Sequence, residues 1–232
     1  MVTETYQTYS NFLADQARRF EAIANLGSET KFPSFTRHPA LRLKKGSHVV
    51  AYTFGGELND RAGSITGNFC SYMPLAFSEE GFHSSILECG AVSGGIDPTS
   101  PTSLEKLRQL AAPVETVFEA FTSPERLTLL CNGLIYDRST LVARAVPNES
   151  LYALTRTIQD SCQGLPEETT IKNAWGQHVV LGHVTKNQRN VAPFTVPHVM
   201  PLGAITPESI VVGTLNFTDE GPNFTVFRKF PL

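Results

Sequence analysis

Two short stretches carry side chains that can move a proton near neutral pH. Residues 82–87 read Phe-His-Ser-Ser-Ile-Leu, and residues 173–185 read Asn-Ala-Trp-Gly-Gln-His-Val-Val-Leu-Gly-His-Val-Thr. Both are rich in β-branched or apolar residues, and each reads as a strand. Strand alternation puts His83 and Ser85 on one face, and His178 and Val180 on one face of the second strand. His183 and Thr185 lie an odd number of residues further on and are expected on the opposite face. An imidazole titrates at about 6.5, so one ring can take a proton while a second gives one. Opposed rings of this kind suit metal-free cleavage or transfer at a phosphodiester. A hydroxyl two residues after each histidine would donate to a non-bridging phosphate oxygen. Ser85 fills that place after His83. In the second strand the choice is His178, followed by Val180, or His183, followed by Thr185.

Other elements must position these strands. Residues 3–25 carry Tyr6, Tyr9, Leu13, Ala17, Phe20 and Ala24 at helical spacing, and Gly27 is a stop. Residues 28–45, broken by Pro33 and Pro39, read as an arm over the surface. Residues 47–54 read as a strand, residues 57–80 show a weak pattern with a possible strand at 69–73, and residues 101–121 form a helix opened by Pro101. Strands at 126–136 and 140–146 are joined by a turn, and a helix begins at Pro147-Asn148 with Gly164 as its stop. Residues 188–207 hold four prolines and read as a long loop. A hairpin at 210–217 and 224–230 ends the chain. Strands joined by tight turns must be antiparallel, and helices alternate with them, so the class is α+β. A coarse duplication, a strand, a histidine-bearing strand and a long helix in each half, suggests two lobes facing a groove.

Composition narrows the function. At 232 residues with 41% hydrophobic content the chain is large enough for one sizeable core. A net charge of −3 leaves no basic footprint for long duplex nucleic acid. No apolar run is long enough to span a membrane and the first residues lack a signal-peptide pattern, which implies a cytoplasmic protein. Cys70, Cys89, Cys131 and Cys162 form no C-x-x-C pair and read as buried free thiols. No cluster has metal-ligand spacing. Tyr52, Phe82 and Trp175 are aromatic groups able to stack on a base. Arg138, Arg144, Lys186 and Arg189 are cations able to steer a phosphate, although scattered charges are more often solvated. His38, His48 and His198 read as structural or surface groups. A Ser-His ester hydrolase is disfavoured because no Gly-x-Ser-x-Gly elbow occurs.

His83-Ser84-Ser85-Ile86 resembles the first His-x-Ser/Thr-hydrophobic motif of the two-histidine (2H) phosphoesterases, which share the 2′,5′ RNA ligase-like fold. Residues 174–182 resemble the second motif, and the terminal hairpin is similar to the strand pair that closes many members. The resemblance covers residues 46–232 as one bilobal domain, with residues 1–45 a separate N-terminal helix and arm. It implies two lobes with mostly antiparallel sheets facing a central groove and helices outside. It also implies a metal-independent, cofactor-free phosphodiesterase acting on a 2′,3′-cyclic phosphate, a 2′,5′ linkage or a related nucleotide, with a nucleotide or RNA end as partner. His83, Ser85 and His178 would be catalytic, with His183 and Thr185 the alternative register, and Tyr52, Phe82 and Trp175 would bind substrate. His178 is preferred because it keeps the Trp-Gly lead-in. Val180 departs from the motif's hydroxyl, so a non-catalytic nucleotide- or RNA-end-binding relative is the alternative. The residues imply no oligomeric state.

Overall fold

The structure is a computed structural model that describes residues 8–28, 34–70, 75–76, 82–123, 125–136, 138–165, 171–173, 176–189 and 202–232. Its helices are α1 (Tyr9–Ser28), α2 (Pro39–Leu43), α3 (Gly56–Cys70), α4 (Pro101–Ala120) and α5 (Glu149–Cys162). Its strands are β1 (Gly46–Phe54), β2 (Leu75–Ala76), β3 (His83–Val92), β4 (Leu129–Tyr136), β5 (Thr140–Pro147), β6 (Ile171–Asn173), β7 (His178–Val184), β8 (Gly203–Ile205), β9 (Pro207–Phe217) and β10 (Pro222–Pro231). This is the α+β class expected. Trp175 and His198 lie outside the described residues.

The strands form two antiparallel sheets, in the orders β10-β9-β1-β3-β6 and β2-β7-β5-β4-β8. One apolar core joins them. Val50, Tyr52 and Ile86 of the first sheet pack with Leu141, Ala143, Val179 and Leu181 of the second, and with Leu107, Leu110, Leu154 and Ile158 of α4 and α5. The two long helices begin where their sequences allow. Pro101 sits at the head of α4, where its missing N–H costs nothing, and the Ser100 side chain accepts from Ser103 N–H. Asn148 caps α5 by accepting from Leu151 N–H.

The duplication is finer than the sequence suggests. The run β1-α3-β2-β3 is repeated as β5-α5-β6-β7, and the two runs exchange their short strands. β2 pairs with β7, through Leu75–Val184 and Ala76–His183. β6 pairs with β3, through Cys89–Ile171, Glu88–Lys172 and Leu87–Asn173. Each histidine-bearing strand also carries a one-residue bulge at the same place. In β3, Ser85 faces Ala51 and Leu87 faces Val50, which leaves Ile86 unopposed. In β7, Val180 faces Val142 and Gly182 faces Leu141, which leaves Leu181 unopposed. A bulge places two consecutive residues opposite one and so resets the alternation beyond it.

Three sequence readings are corrected. Residues 56–70 are helical, because Leu58, Ala62, Ile65 and Phe69 make a buried stripe at spacings of four and three. No strand therefore begins at Phe69. The described part of the arm, residues 34–45, is not laid over the surface: Phe35 and Leu41 are buried, Phe35 exchanges backbone hydrogen bonds with Gln188, and residues 39–43 are helical. The buried residues of α1 are Phe12, Gln16 and Phe20, while Leu13 is only partly buried and Ala17 is exposed.

α1 lies against the second sheet. Gln16 donates to the Ala145 carbonyl at 2.6 Å and accepts from Gln177 N–H at 2.7 Å. Phe20 packs with Ile135, Val142 and Val180, on the face of the sheet turned away from the main core. Cys89, Cys131 and Cys162 are buried free thiols, and burial pushes them up to about 12, 12 and 11, so they rest as inert packing groups. Among the described residues no helix is long and apolar enough to cross a membrane.

Candidate active site

His83 and His178 head the two equivalent strands, each the first residue of its strand. They belong to different sheets, and one buried bridge holds them side by side. Ser84 Oγ donates to Gln177 Oε1 at 2.7 Å, so the residue after His83 is bonded to the residue before His178. Gln177 Nε2 donates on to Thr155 Oγ1 at 3.3 Å, and Thr155 Oγ1 lies 3.0 Å from Tyr52 Oη. Ser84, Gln177, Thr155 and Tyr52 are all buried on the core side. Strand alternation then turns His83 and His178 the other way, out of the core. His83, Ser85 and His178 are each partly exposed.

The expectation that His178 and His183 point to opposite faces is overturned by the bulge at Leu181. His178 lies directly opposite Arg144 and His183 directly opposite Thr140, and Arg144 and Thr140 are four residues apart on one strand. Directly opposed residues share a face, so both imidazoles emerge on the same side. Equivalence is settled by the same ladder. His83 stands three residues before the unopposed Ile86, and His178 three before the unopposed Leu181. His178 is therefore the counterpart of His83, and Val180 that of Ser85. His183 is the counterpart of Glu88, since each pairs with the second residue of the exchanged strand.

The electrostatics differ along this face. His178 Nδ1 lies 3.0 Å from the Gly176 carbonyl. A carbonyl can only accept, so Nδ1 carries the hydrogen and Nε2 is the unprotonated nitrogen of the neutral ring. The His178 pKa is lowered to about 4, chiefly by burial and in smaller part by the nearby His83, while the Gly176 bond acts the other way. His183 is lowered to about 3 by burial first and then by His38 and His83. His83 thus acts on both rings. His183 is 8% exposed, and its Nδ1 is buried with no hydrogen-bond partner among the described residues. Its ring centroid lies 4.4 Å from that of His38 and 5.1 Å from that of Phe217. Thr185 follows the end of β7 and is partly buried.

The first sheet curls enough to bring Phe224, three strands away, to 5.4 Å from His83 between ring centroids. Thr53, directly across from His83, has its hydroxyl 2.6 Å from Ser209 Oγ. Tyr52 and Phe82, expected to bind substrate, are core residues at 0% and 4% exposure, and neither offers a face to the groove. The register explains Tyr52: it pairs with Ser84, the core-facing residue, and not with His83. His48 is structural, with Nε2 2.9 Å from Ser103 Oγ in α4. His38, read as structural or surface, is structural: it caps α2 and its ring packs on His183. Its Nδ1 accepts from Ala40 N–H and its backbone N–H donates to the Val184 carbonyl. Gln177 escapes a reading by motif, although a polar side chain beside a strand histidine is a visible signal. No three described His, Cys, Asp or Glu side chains form a group able to hold a metal ion.

Two exchanged α+β lobes, each with a histidine at the head of a central strand, have the two-histidine phosphoesterase fold implied by the sequence. Solved structures agree. Escherichia coli LigT, determined with 3′-AMP, superposes with a TM-score of 0.54 at 12% identity, over 81% of this chain and 98% of that one. TT0787 of Thermus thermophilus gives 0.56 at 16% identity, over 80% and 97%. A further phosphoesterase gives 0.52 at 12% identity, over 80% and 97%. No family model matches the chain, and no curated protein matches it in sequence.

Proposed function

We propose that the protein is a metal-independent phosphodiesterase acting on a nucleotide 2′,3′-cyclic phosphate, a 2′,5′ linkage or a related nucleotide or RNA end. The observation that carries this reading is the Ser84–Gln177 bridge, which fixes His83 and His178 side by side with both rings turned out of the core. His178, neutral with its hydrogen on Nδ1, takes a proton from the attacking water through Nε2. The water oxygen bonds to phosphorus, the bond from phosphorus to the ribose oxygen breaks, and protonated His83 gives its proton to that oxygen. One water is added across the ester and the two histidines exchange protonation states. Ser85 donates to a non-bridging oxygen, where charge builds. The structures of LigT with 3′-AMP, ATP and phosphate support a nucleotide phosphate as ligand.

His83→Ala and His178→Ala are each expected to lower kcat on a 2′,3′-cyclic nucleotide by about 10²–10⁴-fold. The double variant should fall little further, because the pair acts as a unit. Turnover should survive EDTA; loss in chelator with recovery on zinc or manganese would overturn the metal-free scheme. A second reading, a binding module without catalysis, is favoured by Val180, which occupies the place of Ser85 and packs with Phe20. Saturable nucleotide binding with no turnover on any cyclic or 2′,5′ substrate would select it.

A further inference from the structure

We infer that Arg144, braced by Phe20 of α1, binds the substrate phosphate on the His178 side of the groove and replaces the hydroxyl that Val180 lacks. The inference rests on the phosphate-binding part of the function proposed above. Arg144 stands directly opposite His178 in the β5–β7 ladder, so the two side chains share a face. Its Cζ lies 5.3 Å from the centroid of the Phe20 ring, and Phe20 is 1% exposed. The guanidinium therefore rests on a fixed aromatic plane and is held out from the strand. Its Nε is buried with no hydrogen-bond partner among the described residues. The described ion pairs take up Arg18, Arg19, Arg37, Lys44, Arg108, Arg156 and Arg228, and none involves Arg144.

A partly buried cation with an unpaired N–H and no carboxylate among the described residues is costly unless an anion completes it. A phosphate suits it, since the planar fork matches two phosphate oxygens. The symmetry of the site gives the reason for a cation at this position. On the first lobe Ser85 donates from the face of His83; on the second, Val180 cannot, and Arg144 is the donor nearest His178 along the ladder. α1 contributes by position alone. It supplies the Phe20 brace while Gln16 pins the helix to the backbone of Ala145 and Gln177.

The test uses the full chain labelled with ¹⁵N-arginine and titrated with inorganic phosphate and then with 2′,3′-cyclic AMP. The Arg144 Nε–H resonance, assigned with Arg144→Lys, should shift saturably with each ligand. Arg144→Met should weaken phosphate binding by about 10–100-fold, the range expected for losing a charge-assisted hydrogen bond. Arg144→Lys should recover only part of it, and Phe20→Leu should weaken binding by about 2–5-fold. The wild-type resonance reads the contact even if Arg144→Met does not fold. An Arg144 resonance that stays still while the His83 and His178 ring signals saturate would overturn the inference and leave the proposed function intact. If no signal moves at millimolar phosphate, the inference falls, and the proposed reaction then depends on turnover alone.

Discussion

Cutting the bridge between the lobes is the most direct way to ask what holds the two histidines together. Gln177 is 2% exposed and its side chain makes two buried hydrogen bonds, to Ser84 and Thr155. In Gln177→Leu both are lost, at about 1 kcal/mol each, and the Ser84 hydroxyl is stranded at a further cost of about 1–3 kcal/mol. The expected loss is about 3–5 kcal/mol. Ser84→Ala loses one bond and strands the Gln177 side-chain carbonyl oxygen, for about 2–4 kcal/mol. Once one partner is gone, removing the other relieves the stranded group and costs no second bond, so the double variant should cost about 3 kcal/mol less than the sum of the singles. Urea unfolding of the four proteins gives the cycle from the midpoints and slopes. The same variants should lower kcat by up to about 10²-fold, the effect of displacing reacting groups by about 1 Å. Additive singles, or singles below about 0.5 kcal/mol, would show that the bridge does not set the spacing.

Three further outcomes are expected. The depressed pKa values of His178 and His183 mean that both are neutral, folded or unfolded, at pH 8. Below about 6.5 the unfolded chain binds protons that the folded one refuses, so each costs about 1.4 kcal/mol per pH unit until the folded pKa, about 4 for His178 and about 3 for His183, is reached. Melting scans from pH 8 to 4.5 should show this acid loss, and His183→Leu should flatten about half of it; stability unchanged down to pH 5 would contradict the buried neutral rings. Val180→Thr should raise turnover, because it places a hydroxyl where Ser85 has one, and lower stability by about 1 kcal/mol for a hydroxyl set beside Phe20 and Val142, read by kcat and urea midpoint. Gly213→Ala should destabilise by about 1–3 kcal/mol in thermal melts, since a Cβ there would lie 2.3 Å from the Thr225 carbonyl oxygen on the neighbouring strand.

The two histidine strands, the α4 and α5 helices and the closing hairpin were legible because each is long and periodic. Gly63 and Gly67 obscured α3, although Leu58, Ala62, Ile65 and Phe69 carry a helical stripe through them. The exchanged strands β2 and β6, two and three residues long, are too short to show a period. Their place depends on the opposite lobe. The facing of His183 eludes sequence for a different reason. Strict alternation is the right default, and a bulge that breaks it depends on the partner strand's register, not on residue type. Tyr52 fails similarly: aromatic character marks both a stacking group and a core group, and only its pairing with Ser84 distinguishes them.

The strand exchange also bears on how the molecule folds and opens. Each lobe holds a complete helix and most of a sheet, yet neither sheet is finished without a strand donated by the other half. Swinging the lobes apart would strip β2 from β7 and β6 from β3, exposing main-chain groups that nothing else satisfies. The halves are therefore not separable modules, and they should melt in a single cooperative transition. A groove built this way keeps its two histidines at one spacing for as long as the exchanged strands stay paired.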